Sequence, residues 1–496
     1  MKRLSLSILL LLFFAHPARA ASISSQLVQA WSTSTAANEG CTTTCSYVMR
    51  LPNASLSNNL LVVRFGWSYA STARTVSNVF CNADSGHSTW TFTDAGHDVL
   101  DTSDKTDYFV YYSAGSASGC TSITIVSSGA TTNLQGDGAE YAGMATSSPV
   151  DTGSGLLNSF SGPTFSTNAF TPGTSGDLID MTCTITQLQT GYPNSTSATT
   201  GFSGFTLLDP NIGQGFASQA EIQTTAASIT PSMDFVGMSA GGSGICIAIA
   251  FKTSGGAGTL PTGVHIVQVV NAYTVFATSS VIQEHVFNTG DALLFGGNSS
   301  IGGTGNQWSS ITDSIGNSFT SHDAGAGNPQ QPAWALDCSA TSGDGLISLS
   351  GQPSGSANYQ IVEIAGLINS SHTACFDTTA AGTNTTASPY TPAPSITPSL
   401  STDLVIAQIQ EGMGPITGVT SPTAAVYDYP TYNGITDQSG MTNGGGFAIC
   451  FACGTGSKTF TWTGTGGTVG WVGSAIALKA AAAATVKRLR GSVVNR

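Results

Sequence analysis

Apolar residues along this chain occur in short runs without helical periodicity. Examples are LLVVRFGW at 60–67, ICIAIAFK at 245–252 and LVIAQIQ at 404–410. Clusters of Gly, Asn, Asp, Pro and Ser separate the runs and supply turn geometry. This pattern predicts many short strands joined by turns. We therefore predict an all-β fold of antiparallel, jelly-roll-like β-sandwiches, with almost no helix after the signal peptide.

The N-terminus has the pattern of an export signal. Lys2 and Arg3 precede an apolar run over 4–14, and Ala18-Arg19-Ala20 is a small-residue cleavage site. This arrangement predicts a signal peptide over 1–20 and a mature chain from Ala21. Elsewhere no apolar run reaches the roughly 20 residues that a membrane-spanning helix needs. We expect a secreted protein, extracellular or at the cell surface, with no membrane span.

The mature chain carries an internal duplication. TPGTSGDL at 171–178 and TPSLSTDL at 397–404 share five residue types at an offset of 226. Further pairs keep the same order with drifting offsets, as duplication followed by loop insertions and deletions would produce. They are LVQ (27–29) with IVQ (266–268), NNLLV (58–62) with DALLF (291–295) at offset 233, DSGHSTWT (84–91) with DSIGNSFT (313–320), and IAIAFK (247–252) with SAIALK (474–479).

These matches predict two tandem sandwich domains, over 21–252 and 265–479, which we call the first and second halves. Residues 253–264 are rich in Gly, Pro and Ser, a composition typical of a linker. The segment 480–496 is an Ala run followed by a basic tail.

Composition adds a constraint on partners. Only 8% of residues are charged, and the formal net charge is −13. Nucleic acids and anionic membranes require clustered Lys and Arg, so this balance disfavours both as partners. Self-association stays open as an alternative.

The ten Cys all lie after the signal peptide. In an oxidising compartment they predict disulfides. The spacing suggests Cys41–Cys45, Cys81–Cys120, Cys183–Cys246, Cys338–Cys375 and Cys450–Cys453, although sequence alone does not determine the connectivity.

Three short motifs resemble a known module: Asp-Ser-x-Gly-Asn-x-Phe-Thr at 313–320, Glu-Tyr-Ala-Gly at 140–143 and Ala-Ile-Ala-Leu-Lys at 475–479. Together they resemble a repeated, uncharacterised all-β module of bacterial secreted and surface proteins. The resemblance covers both halves and implies extracellular β-sandwiches. It implies no catalytic residues, and His87 departs from the loop pattern.

Paired carboxylates are the strongest candidate for catalysis. Glu140 and Glu363 occupy corresponding positions in the two halves, and each could pair with Asp94 or Asp323 respectively. Such a pair is what glycoside hydrolysis needs. The competing interpretation is that each Glu completes a buried hydrogen-bond network.

No cofactor is predicted, with calcium as the open alternative. Asp98, Asp101, Asp104 and Asp107 recur at every third residue in one loop. Oxygen ligands close in sequence suit Ca²⁺, but the order of an EF-hand is missing. A solvated acidic loop is the competing interpretation.

Aromatic residues suggest a sugar-binding surface. VYDYPTYNG places Tyr427, Tyr429 and Tyr432 around a proline, and Trp462 lies on a nearby strand. Exposed rings beside Asp and Asn can stack on sugars, whereas rings in a sandwich more often pack in the core.

These observations leave three hypotheses. The first is a non-enzymatic extracellular protein for surface attachment, carbohydrate binding or extracellular assembly. The second is a secreted polysaccharide hydrolase or lyase. The third is a subunit of an extracellular filament or array, which predicts an unpaired edge strand.

Overall fold

A computed structural model describes most of the chain after the predicted signal peptide. The described residues are 26–34, 41, 43–95, 99–101, 105–157, 164–185, 205–209, 216–234, 244–254, 261–274, 279–299, 310–313, 315–322, 333–341, 343–350, 357–386, 388–390, 395–411, 416–422, 426–436, 442–464 and 469–482. The predicted signal peptide and the basic end of the tail lie outside them. The described residues contain strands and no helix, so the all-β prediction is confirmed. They include no long apolar helix that could cross a bilayer.

The first half contains two groups of strands. Group one consists of β1 (Leu27–Ser34), β2 (Ser46–Arg50), β3 (Leu60–Ser68), β4 (Val76–Cys81), β5 (Thr93–Asp94), β6 (Val99–Asp101), β7 (Thr106–Ser113), β8 (Ser122–Ser127) and β9 (Thr132–Tyr141). Group two consists of β10 (Val150–Leu157), β11 (Thr164–Ser166), β12 (Asp177–Ile185), β13 (Thr206–Asp209), β14 (Phe216–Gln223), β15 (Ser232–Asp234) and β16 (Gly244–Phe251).

The second half also contains two groups. Group three consists of β17 (His265–Thr274), β18 (Ser279–Phe287), β19 (Ala292–Ser299), β20 (Ser310–Asp313), β21 (Thr320–Ser321), β22 (Ala333–Asp337), β23 (Gly343–Ser350) and β24 (Ala357–Ala365). Group four consists of β25 (Phe376–Thr386), β26 (Ser395–Ile396), β27 (Leu404–Glu411), β28 (Ile416–Ser421), β29 (Val426–Thr436), β30 (Thr442–Cys450), β31 (Lys458–Thr459), β32 (Thr461–Gly464) and β33 (Val469–Leu478).

All four groups share one strand order. In each main sheet the first strand of the group pairs with the last strand, and the last strand also pairs with the third. Beyond the third strand the sheet continues with two strands that lie between the third and the last in the sequence. The orders are β1-β9-β3-β7-β5, β10-β16-β12-β14-β13, β17-β24-β19-β22-β21 and β25-β33-β27-β30-β29. The structure therefore shows a finer repeat, of four groups, than the twofold one that the sequence motifs suggest.

Each group also contains smaller sheets, and those of groups one, two and four pack against one face of their main sheet. The smaller sheets are β2-β8-β4, β11-β15, β18-β23-β20, and the pairs β26-β31 and β28-β32. In each half the two main sheets also pack face to face around an apolar core. One such cluster combines Val62 and Tyr141 with Ile222 and Ile247. The other combines Leu294 and Ile364 with Ile406 and Ile476.

The two halves meet along one seam, which we define as the pairing of β1 with β17 and the contacts of Asn53. These strands pair in parallel, with Ala30 opposite Gln268, and join groups one and three into an 11-stranded sheet. The Asn53 amide bonds both backbone groups of Ile266, at 2.7 Å and 3.0 Å. All the other strand pairs are antiparallel among the described residues.

Parallel pairing of two equivalent strands places their covering sheets on opposite faces of the joined sheet. Consistent with this, β13 lies beside β1, β17 and β18, whereas β29 lies beside β1 and β2. The halves are thus related by an approximate twofold axis that runs along the seam strands.

The strand register corrects one alignment. Leu61 lies opposite Glu140, and Leu293 lies opposite Glu363. Because these glutamates correspond, Leu61 matches Leu293, and the offset at this strand is 232 rather than 233. Asn59 therefore corresponds to Asp291.

The described residues form five disulfides. They join Cys41–Cys45, Cys81–Cys120, Cys183–Cys246, Cys338–Cys375 and Cys450–Cys453, which are the pairs suggested by spacing. Where Cys183 lies opposite Cys246, the second half has Ile409 opposite Gly473. This bridge is therefore not duplicated.

Candidate functional site

Glu140 lies inside the protein rather than in a cleft. Its side chain is 0% exposed. One oxygen accepts hydrogen bonds from the Leu56 backbone N–H at 2.8 Å and the Asn59 amide at 2.6 Å. The other accepts one from the Gln29 amide at 2.6 Å. Burial raises the pKa of Glu140, although these hydrogen bonds oppose that effect.

Glu363 has the same position and nearly the same partners. It is 0% exposed and accepts hydrogen bonds from the Asn288 backbone N–H at 2.7 Å and the Gln268 amide at 2.6 Å. The difference is Asp291, whose carboxyl contacts Glu363 where Asn59 donates to Glu140. Burial, and then the nearby Asp291 charge, raise the pKa of Glu363 to about 8.

A β-bulge explains how the backbone holds these two networks. The pairing of β1 with β9 shifts between Leu27 and Gln29, and that of β17 with β24 shifts between Ile266 and Gln268. The bulge places each Gln directly opposite its Glu. LVQ and IVQ are therefore repeated because they build the same bulge. The geometry agrees with the interpretation of each Glu as part of a buried network.

Asp94 does not lie beside Glu140. It is exposed on β5, and β7 and β3 separate β5 from β9 in the sheet. Three strand spacings correspond to roughly 14 Å between backbones. The proposed acid pair is therefore not assembled in the first half. Asp323, the candidate in the second half, lies outside the described residues.

The calcium candidates are only partly described. Asp98 and Asp104 lie outside the described residues, and Asp101 is described only by its backbone pairing with Thr106. Asp107 is 0% exposed and accepts hydrogen bonds from the Trp67 ring and the Arg74 backbone N–H. These bonds suit a structural role for Asp107. Among the described residues no cluster of three or more His, Cys, Asp or Glu could hold a metal ion.

The aromatic candidates divide in a similar way. Trp462 is 1% exposed and packs in the core near Phe460, with ring centroids 6.3 Å apart. Its burial does not suit a sugar-stacking surface. Tyr427, Tyr429 and Tyr432 lie on β29, at the edge of the main sheet of group four.

The duplicated motif, which is TPGTSGDL at 171–178 and TPSLSTDL at 397–404, anchors a loop to the first strand of its group. The Asp151 carboxylate on β10 accepts a hydrogen bond from the Gly173 backbone N–H at 2.6 Å. At an offset of 226, Asp377 on β25 accepts one from Ser399 at 2.7 Å. Near its end the motif contains Asp177 in the first half and Asp403 in the second. Asp177 lies beside Asp151, and Asp403 lies beside Asp377.

Each copy of the motif therefore brings two aspartates next to each other. Burial, and then the Asp151 carboxyl, raise the pKa of Asp177 to about 7. Burial likewise raises the pKa of Asp403. Burial alone would raise the pKa of Asp377 too, but hydrogen bonds from Ser399 outweigh it and lower that pKa. One carboxyl of each pair thus holds a proton more tightly than usual.

One polar cluster was missed at the sequence level. We call Arg64, Asp137, Asp180, Tyr141 and Ser218 the buried ion cluster. It lies between the two main sheets of the first half, and its charged residues are at most 2% exposed. The signal was present in the sequence, since Arg64 and Asp180 interrupt the apolar runs LLVVRFGW and LIDMTCTI.

The guanidinium of Arg64 bridges two strands. Its Nε donates to Asp137 and its Nη1 to Asp180, both at 2.6 Å. The Tyr141 hydroxyl donates to Asp180 at 2.8 Å, and the Ser218 hydroxyl donates to Asp137. Burial raises the pKa of Asp137 to about 6, although the Arg64 charge opposes that shift.

The corresponding positions of the second half are mostly apolar. The strand registers match Arg64, Asp137, Tyr141, Asp180 and Ser218 with Gly296, Gln360, Ile364, Ile406 and Phe447. Beside Gly296, Trp334 replaces Val110. A Cβ on Gly296 would lie 2.7 Å from the Trp334 ring, so glycine makes room for that ring. In the second half, mainly apolar side chains therefore occupy the space that the buried ion cluster occupies in the first half.

Replacing Glu140 by Gln should destabilise the protein by about 1–3 kcal/mol. All three recorded partners of Glu140 donate hydrogen bonds, so the new NH₂ group would face a donor in either orientation. Urea unfolding of the mature protein would measure the loss. Unchanged stability would contradict the interpretation that the three hydrogen bonds accepted by Glu140 stabilise the fold.

Replacing Asp291 by Asn should stabilise the protein above neutral pH. A folded-state pKa of about 8 for Glu363, against an ordinary 4.5, means that stability falls as pH rises between these values. The introduced amide could donate to Glu363 as Asn59 does to Glu140, which lowers that pKa. Melting temperatures from pH 5 to pH 9 would show a flatter decline for D291N than for the unaltered protein.

The reciprocal variant provides the control for that experiment. Asn59→Asp should introduce a coupled carboxyl pair at Glu140 and steepen the decline of melting temperature with pH. Parallel curves for both variants and the parent would show that these two positions do not control the titration.

No protein-family model matches this chain, and no curated protein or solved structure matches it either.

Proposed function

We propose that this is an exported, non-enzymatic extracellular protein that serves in attachment or assembly outside the cell. The observation that carries the proposal is the enclosure of both candidate catalytic glutamates. Each is 0% exposed and is held by a Gln side chain and a backbone N–H. A carboxyl group in that position cannot reach a polysaccharide bond, since glycoside hydrolysis needs both carboxyls beside the substrate.

Other features support export. The N-terminal pattern predicts a signal peptide, and all ten Cys are paired in disulfides. Disulfides persist in oxidising compartments and are rare in the cytosol. The buried networks and the five bridges stabilise a chain that carries few surface charges.

Within this class the geometry favours assembly. The main sheets of groups two and four each end in a first strand that has one neighbour among the described residues. Open strand edges are the usual sites of strand addition. For carbohydrate binding the remaining candidates are the tyrosines of β29.

One observation favours the enzyme alternative. The pKa of Glu363 is raised to about 8 beside a second carboxyl, which is typical of a general acid. A structural carboxyl pair also has this property when it is buried. Access of substrate therefore separates the two hypotheses.

The experiment combines a glycan array with an assay for reducing-sugar release on purified mature protein. The proposal predicts no release from any polysaccharide, and any glycan binding should persist in Glu363→Gln. Sugar release that is abolished in Glu363→Gln or Glu140→Gln, with folding verified by circular dichroism, would establish the hydrolase instead.

A further inference from the structure

The first strands of the four groups are equivalent, but they have different neighbours. β1 and β17 pair with each other at the seam, in addition to their partners β9 and β24. β10 and β25 pair only with β16 and β33 within the described part of the chain. Among the described residues, two of the four equivalent edges are therefore joined inside the molecule, and two are open.

The remaining outer edges of the main sheets are protected. The 11-stranded sheet ends in β5 and β6, which lie side by side on β7, and in β21; these strands have two or three residues each. β13 has four residues, and β29 contains Pro430 and two register shifts. Short strands, prolines and bulges are the usual devices that prevent edge-to-edge pairing.

β25 lacks these devices along most of its length. Its eleven residues, FDTTAAGTNTT, include no Pro, Lys or Arg, and its single charge is Asp377 at the start. After the shift at Asp377, the register with β33 is regular from Thr378 to Thr386. β10 has the same plan, with Asp151 before a regular stretch from Ser154 to Leu157.

We propose that β25 of one molecule pairs in parallel with β10 of a second copy of this chain. The seam supplies the precedent, because it joins the first strand of a group in the first half to the first strand of a group in the second. The register follows from the same correspondence. Ser154 is equivalent to Ala30, and Thr378 is equivalent to Gln268. Because Ala30 lies opposite Gln268, Ser154 of one copy lies opposite Thr378 of the other.

This contact joins two different surfaces, so each added molecule leaves one β10 edge and one β25 edge free. Such head-to-tail pairing produces filaments when it does not close and rings when it does. The inference rests on the proposed function and specifies its partner as the protein itself. It is independent of carbohydrate binding, which the glycan array tests separately.

The test uses charge on each edge in turn. Ser154→Lys blocks β10, Thr378→Lys blocks β25, and Leu400→Lys is the matched control, since Leu400 is 45% exposed and lies in a loop of the same group. Sedimentation velocity of the mature proteins, from nanomolar to high-micromolar concentration, measures association. Circular dichroism verifies folding.

The unaltered protein and Leu400→Lys should form species larger than a dimer. Ser154→Lys and Thr378→Lys alone should remain single chains. Mixed together they should form a one-to-one complex, because one retains an open β25 and the other an open β10. That complex also shows that both variants are folded.

Two results would overturn the inference. An unaltered protein that stays monomeric across the range has no such contact, and the proposed extracellular role would then depend on the glycan array alone. Dimerisation of Ser154→Lys by itself, abolished in Thr378→Lys, would show that β25 pairs with another β25 instead.

Discussion

Replacing Arg64 by Met should destabilise the first half by about 3–5 kcal/mol. The change leaves Asp137 and Asp180 in a space where both are at most 2% exposed, without the cation that both contact at 2.6 Å. A typical domain has a total stability of about 5–15 kcal/mol, so the first half would approach unfolding. Urea denaturation followed by tryptophan fluorescence measures the loss.

The second half supplies the control for this experiment. A variant with Arg64→Gly, Val110→Trp, Asp137→Gln, Tyr141→Ile, Asp180→Ile and Ser218→Phe carries the residues found at the corresponding positions. It should recover much of the stability lost in Arg64→Met, because it removes the uncompensated charges and fills the space. If Arg64→Met alone were as stable as the parent, the buried ion cluster would not contribute to the stability of the first half.

Removing the disulfide Cys183–Cys246 should produce the second large effect. The bridge joins adjacent strands of the core and closes a loop with a sequence separation of 63. In the chain-entropy model, a disulfide that closes a loop of that length contributes about 4 kcal/mol to the free energy of unfolding. Cys183→Ala with Cys246→Ala should therefore lower the melting temperature clearly.

The bridge Cys41–Cys45 is the matched comparison. Its sequence separation is 4, and the same model assigns about 2 kcal/mol to so short a loop. A larger loss at Cys41–Cys45 than at Cys183–Cys246 would contradict the entropic explanation. A variant with Cys183→Ile and Cys246→Gly, after Ile409 and Gly473, separates the packing contribution from the crosslink.

Some features followed directly from local patterns. Short apolar runs bounded by turn residues mark buried strands, because alternation and turn chemistry are local properties of the chain. Every apolar run predicted as a strand overlaps one, from LLVVRFGW on β3 to AIALK on β33. The strands that escaped prediction include β10 and β25, whose sequences are rich in Thr, Ser, Gly and other polar residues.

These missed strands are the first strands of their groups. An edge strand buries less surface than a central one, so its composition carries a weaker hydrophobic signal. The same polar composition hid the fourfold repeat, because groups two and four begin with such strands.

What the sequence determined by itself is the all-β class of the fold. The low fraction of charged residues, the many short apolar runs and the spacing of the Cys residues are properties of the sequence itself, and reading them needs no knowledge of long-range contacts. The order of the motifs likewise revealed the twofold internal similarity and the equivalence of Glu140 with Glu363.

The tertiary structure alone decided which polar groups meet. Arg64 and Asp180 lie 116 residues apart in the chain, and Asn53 and Ile266 lie 213 apart, yet each pair is in direct contact. Such contacts depend on how whole sheets stack and join, and local pattern carries no information on that. For the same reason only the assembled sheets show that two equivalent edges are joined, whereas β10 and β25 each have one strand neighbour in the part of the chain that the structure describes.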